Sequence, residues 1–179
     1  VLRSRTVGRM WGILGEYSSG QLLSALLLAP ALGYLVVLAW KLAVEDIRTR
    51  RLPDRLVLPA YPVSAVLLGA AALTAGEPGR FASMALGGVL LLSGYLLLRV
   101  VSPSGLGLGD VKLAGVLGLY LGFAGFSYLL AGAAAGFVLG GMWGLILVAS
   151  RRGTGKTRIA FGPFMLAGAL LALAVPGLE

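Results

Sequence analysis

The chain has 179 residues, of which 58% are hydrophobic and 12% charged, with a mean hydropathy of +0.93. Soluble domains carry about 25% charged residues, and a chain of this size could not cover so much apolar surface in water, so a water-soluble globule is excluded. Lys and Arg number 15 against 7 Asp and Glu, a net +8, with no Cys and no His. In an apolar chain such an excess marks loops beside anionic lipid rather than a nucleic-acid surface, and no nucleic-acid partner is expected. Without Cys and His there are no disulfides, thiolate zinc sites, thiol nucleophiles or imidazole bases.

Residues 1–20, with Arg3, Arg5 and Arg9, are too mixed in polarity to span a bilayer and lack a signal-peptide cleavage pattern; they read as an N-terminal interfacial segment preceding a membrane domain over 21–179. A spanning helix needs about 20 mostly apolar residues. The candidates are Leu22 to Val44, Leu56 to Ala75 and Phe81 to Leu98. An uncharged run from Leu113 to Ala149 follows. As one helix at ~1.5 Å per residue it would reach ~55 Å against a hydrocarbon core of ~30 Å, so it must turn back on itself. Gly122 and Gly125 offer the turn, and a last span runs from Ile159 to Val175. The expectation is an all-α polytopic membrane bundle of about six helices.

The basic residues alternate with the spans. Arg48, Arg50, Arg51 and Arg55 follow span one, Arg99 and Lys112 flank the third connection, and Arg151, Arg152, Lys156 and Arg158 precede span six. The opposite connections hold Arg80 with Glu77 and the uncharged turn near Gly122. The positive-inside rule places the basic loops in the cytoplasm, against the sense of Arg3, Arg5 and Arg9.

So few acids can be taken one by one. Glu16, Glu77 and Glu179 fall in outside segments, whereas Glu45, Asp46, Asp54 and Asp110 fall on the basic side. Two spans separate Asp46 from Asp110, so the chain returns to the same face and both carboxylates reach similar depth. An ionisable group at a span boundary is a functional candidate. Bland roles compete: Asp110 could cap the helix of span four, and Asp46 could pair with Arg50 one turn on. Asp110 stands just before span four in Gly105-Leu106-Gly107-Leu108-Gly109-Asp110-Val111-Lys112. Its alternating glycines permit irregular backbone or close approach of another segment, more freedom than a cap needs. Gly153-Thr154-Gly155-Lys156-Thr157 lacks the first glycine of a phosphate-binding loop and reads as a solvated basic loop. Gly132, Gly136, Gly140 and Gly144 form a small-residue stripe, read as packing within the chain rather than between copies.

Gly107-Leu108-Gly109-Asp110, Asp46 followed by Leu52-Pro53-Asp54, and Phe161-Gly162-Pro163-Phe164 together resemble the type IV prepilin peptidases, membrane aspartic proteases of the Gly-x-Gly-Asp class. The resemblance covers span one to the C-terminus. It implies an aspartic endopeptidase that removes the basic leader of pilin-like precursors at the cytoplasmic face of the cytoplasmic membrane. Asp46 and Asp110 would be its catalytic pair, with Gly107, Gly109 and Lys112 in the active-site loop. The absence of His points the same way, since it excludes a serine–histidine dyad and a zinc protease. Glu45 and Asp54 are candidates for contacting the leader's basic residues, a suggestion with no motif behind it. No cofactor or metal is expected; pilin-like precursors and membrane lipid are, and self-association into a homo-oligomer stays open. Many family members carry a cysteine-containing cytoplasmic insertion associated with N-methylation. This chain has no Cys and only short loops, and resembles a minimal form without the methyltransferase domain. The rival reading is a small proton- or ion-coupled transporter using Asp46 and Asp110 as ion ligands. It would favour an inverted repeat, and the two aspartates stand in dissimilar contexts.

Overall fold

The computed structural model of the protein describes residues 19–49, 52–102, 105–151 and 160–178. Most of the N-terminal segment 1–20, Arg50, Arg51 and the basic stretch from Arg152 to Ile159 lie outside these residues. The described residues form six helices and no strand: α1 Ser19–Thr49, α2 Asp54–Thr74, α3 Gly79–Val101, α4 Leu108–Ala124, α5 Phe126–Ala149 and α6 Gly162–Ala174. This is the all-α membrane bundle expected from the sequence.

Among the described residues α1, α2, α3 and α5 are long and apolar enough to cross a membrane. α4 and α6 have 17 and 13 residues, or about 26 and 20 Å of helix. The described residues thus supply the six helices expected, four of them long and two shorter. The two short helices lie inside: most of α4 is buried, consistent with a helix apolar on every side. Gly125 turns the long uncharged run at φ +143°, a conformation that L side chains rarely adopt. Gly122 stays helical, pressed against the backbone of Ser83 and Gly87 in α3.

α1, α2, α4 and α6 pack in a closed ring, each against the next, with α3 laid on α4 and α5 on α4 and α6. α1 and α4 face each other across the ring's diagonal. Midway along it the gap is filled by the fully buried Tyr120 of α4. Its hydroxyl donates to the Ala31 carbonyl of α1 at 3.1 Å and accepts from Ser64 of α2 at 3.0 Å. Polar groups in an apolar interior cost several kcal/mol each when unpaired, which is why these three pair with one another. The glycine stripe of α5 turns inward: Gly132 meets Leu121, Gly136 the backbone of Met165 and Gly140 the ring of Phe161. Packing within the chain is thus what these three glycines provide. Val66, Leu97, Val138 and Leu145 are exposed on the outside, where lipid rather than water is the natural solvent.

Candidate active site

The C-terminal end of α1 and the N-terminal ends of α2, α4 and α6 meet at one end of the ring. There, Tyr120 no longer fills the diagonal. A cavity of about 360 Å³ remains, lined by Asp46, Leu52, Asp54, Gly107, Leu108, Gly109, Asp110 and Lys112. Asp46, in the last turn of α1, is 4% exposed and Asp110 is 8% exposed.

Each aspartate is held by a glycine amide. Gly162, the first residue of α6, donates its N–H to Asp46 Oδ2 at 3.0 Å. Gly107 donates its N–H to Asp110 Oδ2 at 2.9 Å. Among the described residues neither carboxylate makes a further hydrogen bond through Oδ1, and both residues line the cavity. The two charges act on each other, and Arg99 acts on Asp110 with the opposite sign. Two like charges at one cavity in a low dielectric favour a shared proton over full ionisation. One ionised and one protonated carboxyl can then take a proton from water and give one to a carbonyl oxygen.

The sequence places Asp110 ahead of the helix; it lies instead in the first turn of α4. Gly107 is the extended N-cap at φ −77° and ψ 154°, and Asp110 reaches back to its amide, so the carboxylate itself starts the helix early. The backbone is non-helical from Gly105 to Gly107, as expected of these glycines, but without positive φ, which among the described glycines only Gly76, Gly125 and Gly177 adopt. Gly109 is needed for close approach instead, since a Cβ there would lie 2.7 Å from Leu52 Cβ. A Cβ on Gly162 would lie 2.7 Å from Asp46 Oδ2 and 3.5 Å from Leu52 Cδ1. Leu52 is thus wedged between the segments that hold the two aspartates.

Lys112 lines the cavity with its ammonium 2.7 Å from both oxygens of Asp54, and Tyr61 donates to its carbonyl at 2.6 Å. Asp54 therefore stands at the cavity already paired. Glu45 is half-buried beside Asp46 and does not line the cavity. Gly162 was legible only as part of its Phe-Gly-Pro-Phe motif, without a role, and nothing in the sequence singled out Leu52. No group of three or more His, Cys, Asp and Glu that could hold a metal occurs among the described residues.

Residues 32–145 match the model of the type IV leader peptidase family, a stretch that contains both aspartates and the segment Gly107 to Lys112. The chain is 27% identical to a prepilin leader peptidase/N-methyltransferase of Stutzerimonas stutzeri over 79% of its own length and 49% of that protein. It is 30% identical to a protein of the same name from Aeromonas hydrophila, over 96% of its own length and 62% of the relative. The chain thus spans between about half and three-fifths of the curated relatives it matches. No solved structure matches it with significance. With the family match covering most of the chain and enclosing both cavity aspartates, the protein belongs to the type IV leader peptidase family.

Proposed function

We propose that the chain is an aspartic endopeptidase of the cytoplasmic membrane that cleaves the basic leader from type IV pilin-like precursors on the cytoplasmic side. The observation that carries this reading is the pair of buried carboxylates, each held through one oxygen by a glycine amide and both lining one cavity. Asp46 and Asp110 act as one acid–base unit. The ionised member takes a proton from a water as it attacks the scissile carbonyl, and the protonated member donates to the carbonyl oxygen. A return of protons then releases the amine. The precursor's apolar helix lies in the bilayer beside the protein, and its basic leader stays on the side where Arg48, Arg55, Arg99 and Lys112 lie. Asp54 offers the leader a carboxylate at the cavity, in exchange with Lys112.

Co-expression with a pilin-like precursor, followed by the gel shift of leader removal, tests it. Asp46→Asn and Asp110→Asn at normal membrane levels should leave the precursor uncleaved. Full cleavage by either variant overturns the assignment.

A further inference from the structure

We propose that Arg99 is a positioning residue of this site: its guanidinium grips the peptide plane whose N–H holds Asp110. The inference rests on the aspartic-peptidase reading above.

Arg99 lies in the last turn of α3 and is half-buried. Its Nη1 donates to the carbonyl of Leu106 at 2.7 Å. That carbonyl and the Gly107 N–H belong to one peptide unit, planar by resonance, with the two groups pointing in opposite directions. The Gly107 N–H donates to Asp110 Oδ2 at 2.9 Å. One rigid plane is thus held at its oxygen by a cation and at its hydrogen by the candidate catalytic carboxylate. Hydrogen bonding at the carbonyl also polarises the amide and strengthens its donation. Arg99 also exerts a direct electrostatic pull on Asp110.

A basic residue at a helix C-terminus ordinarily serves its own helix's last carbonyls or reaches for water. Arg99 does neither through this bond. Its acceptor lies seven residues on, across the connection to α4. The guanidinium fixes the angle at which the Gly107 amide meets Asp110 Oδ2, and hence the orientation of the Asp110 carboxylate at the cavity. A misplacement of about 1 Å at a reacting group can cost on the order of a hundredfold in rate.

The test uses the full chain in detergent or membranes, a synthetic precursor with a basic leader, and the variants Arg99→Gln, Arg99→Lys and Asp110→Asn. Arg99→Gln should lower kcat by about tenfold or more with KM within about twofold. Arg99→Lys keeps a cationic donor for the Leu106 carbonyl and should recover most of the loss. Amide hydrogen exchange over residues 105–110, which needs no activity, should quicken in Arg99→Gln and not in Arg99→Lys. Wild-type kcat in Arg99→Gln, an effect confined to KM, equal loss in both Arg99 variants, or unchanged exchange in Arg99→Gln would each overturn the assignment. Asp110→Asn separates the two levels. If it cleaves normally the peptidase reading fails; if it is inactive while Arg99→Gln is normal, only the role of Arg99 fails.

Discussion

Gly162 donates its backbone N–H to Asp46 Oδ2 at 3.0 Å, joining the start of the last helix to the end of the first. Pro163 sits beside it at the N-terminus of α6, where a missing N–H has no helical partner to lose. The Phe161-Gly162-Pro163-Phe164 motif thus has a physical role: it starts a helix whose first amide belongs to a carboxylate on another element.

That contact makes Gly162→Ala informative. The added Cβ would fall 2.7 Å from Asp46 Oδ2, so the carboxylate must move. Cleavage should drop about tenfold or more at normal membrane levels. Gly94→Ala in α3, where a Cβ meets nothing within 4 Å, is the comparison. It should be silent or slightly stabilising, because glycine in a helix costs roughly 0.5–1 kcal/mol relative to alanine. Equal activity in the two variants would remove Gly162 from the site.

The two aspartates should behave as one unit in precursor cleavage. Asp46→Asn and Asp110→Asn each keep an oxygen to accept the glycine amide while losing the ionisable proton. Each should lower the rate by about a thousandfold or more, and the double variant should be hardly worse than either single one. Additive losses would mean that the carboxylates act separately.

The contact between Gly109 and Leu52 predicts a second-site rescue. Gly109→Ala forces a Cβ to 2.7 Å from Leu52 Cβ and should impair cleavage. Leu52→Ala retains its Cβ but removes the isopropyl group beyond it, so the linker can withdraw. The double variant should recover a substantial part of the activity lost in Gly109→Ala, a coupling readable from the double-mutant cycle. Strict additivity would show that Gly109 is needed for another reason.

Topology can be read with single cysteines, because the chain has none of its own. Gly79→Cys at the start of α3 and Ser150→Cys after α5 are both at exposed positions. The positive-inside rule puts Ser150, next to Arg151, in the cytoplasm and Gly79 outside. An impermeant maleimide applied to intact cells should label Gly79→Cys alone. Labelling of both would remove the common face assigned to the basic loops.

Composition and spacing alone determined the membrane class, the existence and order of the helices, and that Asp46 and Asp110 fall at the same end of the bundle. Those properties depend on hydrophobic length and on counting crossings, which are local or arithmetical features of a chain in a bilayer. The turn at Gly125 was legible for the same reason, since an uncharged run too long for one crossing must break where the backbone is freest. Depth and packing were not legible. That α4 and α6 are short inner helices follows from the ring they close with α1 and α2, and the apolar pattern of a buried span resembles that of a lipid-facing one. Whether the glycines beside Asp110 serve unusual backbone angles or close approach was decided by Leu52 lying against Gly109, from a linker more than fifty residues away. The amides that hold the two carboxylates were decided in the same way. A backbone N–H carries no residue identity, so only the folded chain shows that Gly162 belongs to Asp46 and that Arg99 stands behind the amide of Gly107.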